Sequence, residues 1–265
     1  MTNRRGLTVA VVQARMTSSR LPGKVLADLS GEPMLLRQLE RISRSTSLDQ
    51  IVVTTSDDSS DDVLAEVVTE AGYPVVRGSL DDVLGRFIAV IDEVHPEVVV
   101  RLTGDCPLAS PTVIDAVVEA FDSSDVDYLS NTMIPTYPDG LDLEVCTAQA
   151  LRQVSEMSAD RNEREHVTLG IYRRPEVFSI KNFRDPQGRD NSHLRWTVDN
   201  ADDLVFVRHI YSHLLDEISS FDYDDILNAL AANPAFDNRE VVAHRNAALD
   251  GLDTGVMHHV VGGDD

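Results

Sequence analysis

The stretch Leu7-Thr8-Val9-Ala10-Val11-Val12-Gln13 predicts a buried β-strand, because apolar and β-branched residues fill it almost without interruption. Beyond Gln13, short β-branched runs alternate with longer amphipathic ones. The run 97–102 is almost wholly apolar at its centre, as expected for a strand that is covered on both faces. This alternation is typical of βαβ units, so we predict an α/β fold with a mostly parallel sheet.

Apolar periodicity and turn residues predict the remaining elements. Strands are expected at 50–55, 73–77, 97–102, 141–146, 177–181 and 195–198. Helices are expected at 33–44, at 60–71 with Ser59 or Ser60 as the N-cap, from about 79–82 onward, and at 111–121, 148–157, 162–171, 202–215 and 222–232. The chain has no linker or internal repeat, so we expect a single domain over 7–232, with an insertion at about 132–174. Residues 233–265 form a C-terminal extension whose end, from about 249, is expected to be disordered.

Composition excludes several classes of protein. The 265 residues include 23 Lys+Arg and 45 Asp+Glu, which gives a net charge of −22. Such acidity argues against a nucleic-acid partner, because nonspecific affinity for nucleic acid comes from basic side chains. No apolar run approaches the roughly 20 residues of a membrane span, and the polar start does not resemble a signal peptide, so a cytoplasmic location is expected. The two cysteines, forty positions apart, favour neither a disulfide scaffold nor a zinc site.

The kind of charge is also informative. The chain has 31 Asp against 14 Glu, and 21 Arg against only two Lys. Short, strongly hydrated carboxylates with almost no lysine suit a salt-rich cytoplasm, where screening suppresses self-repulsion. A halophilic source and a GC-rich genome that favours Arg codons both explain this composition.

The loop after the first strand reads Gln13-Ala14-Arg15-Met16-Thr17-Ser18-Ser19-Arg20-Leu21-Pro22-Gly23-Lys24. In an open α/β sheet, ligands bind at the carboxyl ends of the strands, which is where this loop lies. Its cations Arg15, Arg20 and Lys24 suit a triphosphate and the charge that develops on a leaving pyrophosphate. The loop matches neither familiar glycine-rich phosphate motif. Ordinary solvated loop cations are the alternative.

Two aspartates follow later predicted strands. Asp105 lies in Thr103-Gly104-Asp105-Cys106-Pro107-Leu108, and Asp199 lies just before the helix expected at 202–215. Mg²⁺ is usually held by one or two carboxylates together with phosphate oxygens, so Asp105 is the first candidate metal ligand. A simple turn at Asp105 and a helix-capping role for Asp199 remain open.

Together these three segments resemble the cytidylyltransferase family that activates acidic sugars, which includes the CMP-Kdo and CMP-sialate synthetases. The segment Asp199-Asn200-Ala201-Asp202-Asp203-Leu204 is similar to the family's late acidic motif, with Ala201 where proline is usual. Segments 77–87, 139–145 and 164–168 resemble the spore coat polysaccharide biosynthesis protein F branch. The resemblance implies a Rossmann-like three-layer α/β/α sandwich, the nucleotide-diphospho-sugar transferase fold, with a small inserted β/α segment. It also implies Mg²⁺-dependent transfer of CMP from CTP to an acidic sugar, with release of pyrophosphate, for surface polysaccharide synthesis.

The resemblance further implies roles for particular residues and a homodimer that uses part of 132–174. Catalytic roles fall to Arg15, Lys24 and Asp105, and metal binding falls to Asp105 and Asp199. The residues implied for nucleotide binding are Gln13, Ala14, Arg15, Arg20, Lys24, Thr55, Asp57, Arg77 and Thr103, with the base over the end of the strand at 50–55.

Recognition of the acceptor is less well defined. Asp142 and Glu144 are expected on one side of the strand at 141–146, where they could bind sugar hydroxyls or an amine. Glu165 and His166, in the polar helix at 162–171 with Arg161 and Arg164 next to them, could address an anionic acceptor group, and His166 could act as a general base. A solvated strand face and a structural histidine are the alternatives.

Two other functions remain open at this level: a nucleotide-sugar-dependent glycosyltransferase and a non-catalytic nucleotide sensor or scaffold. The cation-rich first loop argues against a glycosyltransferase, because transfer from a sugar diphosphate has no departing pyrophosphate. The joint presence of Arg15, Lys24, Asp105 and Asp199 argues against a scaffold.

Overall fold

The computed structural model describes residues 6–215 and 220–236. Within them, a single seven-stranded sheet lies at the centre of the fold. Its seven strands within those residues have the spatial order β5-β4-β1-β6-β8-β7-β9. The strands are β1 (Thr8–Gln13), β4 (Gln50–Ser56), β5 (Val75–Gly78), β6 (Val98–Thr103), β7 (Tyr128–Ser130), β8 (Glu144–Thr147) and β9 (Ile180–Asn182), while β2 (Asp28–Leu29) and β3 (Glu32–Pro33) form a separate hairpin. From β5 to β6 all pairs are parallel, and β8 pairs antiparallel with both β6 and β7. The carboxyl ends of the four parallel strands therefore meet at one edge.

Helices cover both faces of the sheet, which confirms the three-layer α/β/α prediction. They are α1 (Met34–Ile42), α2 (Asp62–Glu70), α3 (Val83–Val94), α4 (Pro111–Asp122), α5 (Ala148–Met157), α6 (Arg161–Glu165), α7 (Leu169–Tyr172), α8 (Ala201–Leu214) and α9 (Tyr223–Ala232). In β1, Ala10 and Val12 pack into the core with α1, α2, α4, α8 and α9, whereas Val9 and Val11 pack with α3, α5 and α7. Successive strand residues point to opposite faces, so an uninterrupted apolar strand needs this double cover.

Short-range capping fixes the helix starts that flank the carboxyl edge. Asp82 accepts a hydrogen bond from the Gly85 N–H at the start of α3. Asn200 and Asp203 form a reciprocal capping box at the start of α8. The helix predicted at 60–71 begins instead as a 3₁₀ turn, Ser59–Asp61, and its cap is Asp58 rather than Ser59 or Ser60. Each cap satisfies backbone N–H groups that the first helical turn leaves unpaired.

Three further predicted elements differ in the structure. Residues 195–198 do not form a strand; they make one isolated bridge, between Asp139 and Arg195. The strand predicted at 141–146 begins only at Glu144, so Asp142 lies outside it and the strand alternation from which a common face was expected does not extend to Asp142. The helix predicted at 162–171 is split into α6 and α7, because the backbone at Val167 has φ +47°, a left-handed value that breaks a helix and is strained for a β-branched residue.

The segment 132–174 contains α5 to α7 and also β8, which pairs with β6 inside the main sheet. Most of the expected C-terminal extension, 237–265, lies outside the described residues. Within 6–215 and 220–236, no helix is both long and apolar enough to cross a membrane.

Candidate active site

The loops that follow β1 and β6 are pressed together at the carboxyl edge. The Gly104 N–H donates to the Gln13 carbonyl at 2.8 Å. A Cβ on Gly104 would lie 2.8 Å from the Cβ of Ala14, so no larger residue fits without displacing one of the loops. This close approach carries Asp105 to the loop that holds Arg15, Arg20 and Lys24.

The buried side chain of Lys24 occupies the centre of this edge. Its Nζ donates to Asp105 Oδ2 at 3.0 Å, to Asp199 Oδ1 at 3.1 Å and to the Val198 carbonyl at 2.7 Å. All three donor positions of the ammonium group are therefore used. The structure brings together the predicted catalytic lysine and both predicted metal ligands.

Other side chains hold the remaining oxygens of the two carboxylates. The Thr103 hydroxyl donates to Asp105 Oδ1 at 2.6 Å. Arg20 lies 2.8 Å from Asp199 Oδ1, and Arg195 donates to Asp199 Oδ2 at 2.5 Å. Thr103, which was predicted to bind nucleotide, is thus hydrogen-bonded to Asp105 in this structure.

The charges at the centre stabilise one another. Burial alone would raise the pKa of Asp105, but the Lys24 ammonium and the Thr103 hydroxyl hold it below the ordinary carboxyl value. Burial opposes the charged form of Lys24 as well, yet Asp105 and Asp199 raise its pKa above the usual value. At neutral pH the Lys24 ammonium and the Asp105 carboxylate are therefore both charged.

This geometry fits a divalent cation that substrate oxygens help to bind. Two carboxylates converge on a single cationic position, which the Lys24 ammonium fills. Among the described residues, no group of three or more His, Cys, Asp and Glu side chains could hold a metal ion. Two carboxylates with phosphate and water oxygens are an ordinary magnesium set, so Asp105 and Asp199 suit Mg²⁺ when a triphosphate is present.

Arg195 and Asp139 support the centre, although the sequence did not mark either as a site residue. Arg195 pairs with both Asp139 and Asp199, and it lies 3.6 Å from Asp203 Oδ1. The Asp139 carbonyl accepts from the Trp196 and Thr197 N–H groups. The i, i+4 spacing of Arg195 and Asp199 could have indicated this ion pair. In the strand expected at 195–198, however, the two side chains would have been too far apart to form it.

The other predicted nucleotide-binding residues surround the ends of β1, β4 and β5. Arg15 and Asp57 are exposed, whereas Thr55 is fully buried and its hydroxyl has no hydrogen-bond partner. The Gln13 side chain accepts from Arg101 Nε at 3.0 Å. Arg77 donates to the carbonyls of Ser56 and Asp58 and pairs with Asp62, so in this structure it braces the loop after β4.

The predicted acceptor residues lie beyond β6. Glu144 is buried, where it pairs with Arg101 and accepts from the Tyr128 and Thr168 hydroxyls. Because its oxygens are occupied in this way, Glu144 orients Arg101, which in turn holds the predicted nucleotide-binding residue Gln13.

His166 and Glu165 stand next to this network, at the break between α6 and α7. Glu165 is exposed and His166 is half-buried, directly before the strained Val167. Burial lowers the pKa of His166 below its ordinary value, so its imidazole is neutral at pH 7. Asp142 is partly buried on the segment before β8.

A doubly covered parallel sheet whose carboxyl edge presents three cations and two carboxylates is suited to binding a nucleoside triphosphate and neutralising its departing pyrophosphate. Fold and site together define the class as a nucleotidyltransferase. A family model described as Cytidylyltransferase matches residues 9–214. The chain belongs to the cytidylyltransferase family.

Individual relatives agree with this assignment. The spore coat polysaccharide biosynthesis protein SpsF of Bacillus subtilis (strain 168) is 33% identical over 229 residues, which cover 84% of this chain and 94% of that protein. A 3-deoxy-manno-octulosonate cytidylyltransferase of Chlorobium phaeovibrioides is 38% identical over 133 residues, about half of each chain (49% and 52%). The solved structure of a cytidylyltransferase from Leptospira borgpetersenii superposes with a TM-score of 0.84 and 28% identity, covering 91% of this chain and 100% of that one.

Proposed function

We propose that the protein transfers CMP from CTP to an acidic sugar or a related acceptor, with release of pyrophosphate, in the synthesis of a surface polysaccharide or glycoconjugate. The observation that carries the proposal is the buried Lys24 ammonium held between Asp105 and Asp199 at the carboxyl edge of the sheet. The names of the relatives support CTP as the nucleotide and polysaccharide synthesis as the pathway. One relative is a 3-deoxy-manno-octulosonate cytidylyltransferase, and another is a spore coat polysaccharide biosynthesis protein.

Positioning and charge neutralisation account for the chemistry. An acceptor oxygen forms a bond to the α-phosphorus of CTP while the bond from that phosphorus to the bridging oxygen of pyrophosphate breaks in line. Arg15 and Arg20 bind the outer phosphates, and Lys24 exchanges its bonds to the two carboxylates for bonds to the phosphate oxygens on which negative charge develops. Gln13 and Ala14 place their backbone against the nucleoside. When bound, Mg²⁺ would be held by Asp105 and Asp199 and would supply further neutralisation of the phosphates.

Acceptor binding is assigned to the region beside β8. Glu165 and His166 lie at the α6–α7 break, Asp142 lies just before β8, and Glu144 is the first residue of β8. The neutral His166 imidazole can donate to, or accept from, an acceptor hydroxyl. We further propose that two chains associate through part of 132–174, and mass measurement by light scattering at low and molar KCl tests this. A monomeric mass under both conditions would contradict it.

The test of the nucleotide is a thermal-shift panel of CTP, UTP, dTTP, GTP and ATP, each with and without Mg²⁺, at low and molar KCl. A ligand at about 100 times its Kd adds roughly 2.7 kcal/mol to the stability of the native state. A shift that requires Mg²⁺ and is largest for CTP supports the proposal. Pyrophosphate release in the presence of candidate sugar acids then identifies the acceptor. No shift with any triphosphate in a folded sample would contradict it and favour a glycosyltransferase or a non-catalytic scaffold.

A further inference from the structure

The ammonium group of Lys24 bridges the two carboxylates of the site. Lys24 is 7% exposed, and its Nζ donates to Asp105 Oδ2, to Asp199 Oδ1 and to the Val198 carbonyl. A buried cation in this protein is not always paired so completely, because Arg86, in α3, is 3% exposed and its Nε and Nη1 have no hydrogen-bond partner. Two of the three Lys24 donors are bound to the residues that suit Mg²⁺.

The other oxygen of each carboxylate is bound by a different side chain. The Thr103 hydroxyl donates to Asp105 Oδ1 at 2.6 Å, and Arg195 donates to Asp199 Oδ2 at 2.5 Å. A cation that binds through both carboxylates without displacing these donors must therefore use the two oxygens that face Lys24. Departure of the one ammonium makes an oxygen available on each carboxylate at the same time.

Lys24 and a divalent ion exclude each other at these oxygens. Like charges a few Å apart repel strongly where water is largely excluded. The ammonium cannot simply withdraw, because a buried cation that loses its partners is strongly destabilising. A metal ion alone therefore meets two carboxylates that are already neutralised by a cation of the protein itself.

A bound triphosphate supplies new partners for Lys24. Arg20 and Lys24 lie on the same loop and contact the same oxygen, Asp199 Oδ1, at 2.8 and 3.1 Å. The Arg20 side chain is 54% exposed, so it can turn toward a phosphate group without leaving water. Phosphates bound by Arg20 and by the exposed Arg15 would bring anionic oxygens to the Lys24 ammonium, which can then leave the carboxylates with its charge still paired.

We propose that Lys24 excludes Mg²⁺ from Asp105 and Asp199 until the phosphate oxygens of a bound triphosphate replace the carboxylates as partners of its ammonium. This inference rests on the proposed function, and it adds that the free protein does not hold the metal in advance. Such coupling is reciprocal, so a triphosphate strengthens metal binding by the same factor as the metal strengthens triphosphate binding.

The first test measures binding of the metal alone, with no nucleotide present. Isothermal titration calorimetry with Mn²⁺ and with Mg²⁺ gives Kd for the wild type, for Lys24→Met and for a double variant that adds Asp105→Asn. Lys181→Met is the matched control, because Lys181 is the other lysine of the chain and lies exposed in β9. Unfolding in the absence of metal establishes that each variant is folded.

Lys24→Met should bind Mn²⁺ alone about 10-fold more tightly than the wild type or better, since couplings of this kind typically span about 5- to 150-fold. Added Mn²⁺ should also raise the Tm of Lys24→Met more than that of the wild type. The double variant should lose this gain, and Lys181→Met should bind the metal like the wild type.

The second test uses the wild type alone, so it does not depend on the folding of any variant. The sequence contains only two lysines, Lys24 and Lys181, so ¹³C labelling of lysine at Cε gives two NMR signals, of which the exposed Lys181 is an internal control. CTP without metal should shift the Lys24 signal. Millimolar Mg²⁺ without CTP should leave both signals unchanged.

Three outcomes would overturn the inference. One is a Lys24→Met variant that binds Mn²⁺ no more tightly than the wild type, and another is a gain that persists in the double variant, which would place the metal elsewhere. The third is a wild-type Lys24 signal that Mg²⁺ alone shifts as much as CTP does, or that bound CTP leaves unchanged. Failure of the wild type to bind CTP at all would instead contradict the proposed function, and the metal-alone titrations would still test the exclusion.

Discussion

The substitution Lys24→Met tests the centre of the site most directly. It retains the length of the side chain but removes the ammonium that binds Asp105, Asp199 and the Val198 carbonyl. Removing one partner of a buried ion pair costs about 3–5 kcal/mol, because the remaining charge is left uncompensated. Thr103, Arg20 and Arg195 still bind the two carboxylates, so we expect a loss near the lower limit, about 3 kcal/mol. For a domain of this size, that loss lowers Tm by roughly 6–12 °C.

The pH dependence of this loss has a definite sign. The pKa of Asp105 is lowered in the native state, so its contribution to stability is present above the unfolded value of about 3.9 and is lost as pH falls below it. The pKa of Lys24 is raised, so its contribution is complete below about 10.4 and is lost as pH rises beyond its native value. The difference in stability between wild type and variant should therefore be constant from about pH 5 to pH 10 and shrink outside that range.

Thermal and urea unfolding of the wild type and of Lys24→Met, measured across this pH range, are the appropriate assays. Lys181→Met is the matched control: Lys181 is the only other lysine in the sequence and lies exposed in β9. A surface change of this kind stays within about 0.5 kcal/mol. A Lys24→Met variant as stable as the control, or one whose deficit varies between pH 5 and pH 10, would refute the assignment of Lys24 as the ion that holds the two carboxylates together.

Three further predictions concern single residues. Asp105→Asn should remain folded and still bind CTP, but pyrophosphate release should fall by about 100-fold or more, because Asp105 is one of the two carboxylates that would hold the Mg²⁺ which neutralises the phosphates; near-normal release would contradict the metal assignment. Gly140→Ala should cost about 2 kcal/mol or more in urea unfolding, because φ is +111° and the new Cβ would lie 2.5 Å from the Thr197 nitrogen. Gly188→Ala, with positive φ but open space, should lose less, and equal losses would mean that crowding at Gly140 is unimportant. His166→Gln should flatten the fall in stability below about pH 6.5, because the lowered pKa of His166 makes the unfolded chain bind this proton more readily than the native state does; an unchanged pH profile would argue against a buried neutral imidazole.

Local pattern was sufficient for the parallel half of the sheet. Strands β1, β4 and β6 lie within a residue of their predicted bounds, and α5 has the predicted bounds. In these elements the same apolar periodicity that defines the strand or helix also defines its buried faces, so the two requirements coincide. The signature of the first loop and the two aspartates also identified the family from sequence alone, because residue type and spacing carry that information.

The segments without regular apolar periodicity could not be predicted from local pattern in this way. Residues 195–198 resemble a strand, but their backbone bonds to Asp139, Asp105 and Lys24, which are distant in the sequence. The break at Val167 and the burial of Glu144 depend likewise on packing against other elements.

The fold class, the cation-rich loop and the two carboxylates can all be predicted from the amino-acid sequence. The folded structure was needed to show that Lys24 lies between Asp105 and Asp199, which are 81 and 175 positions away along the chain, and that Nε and Nη1 of Arg86 are buried without hydrogen-bond partners. Strand and helix patterns arise from burial of neighbouring residues, which the local sequence records. Hydrogen bonds and charge pairs between distant loops depend on where the folded sheet brings the ends of its strands, and the spacing of residues along the chain does not record that.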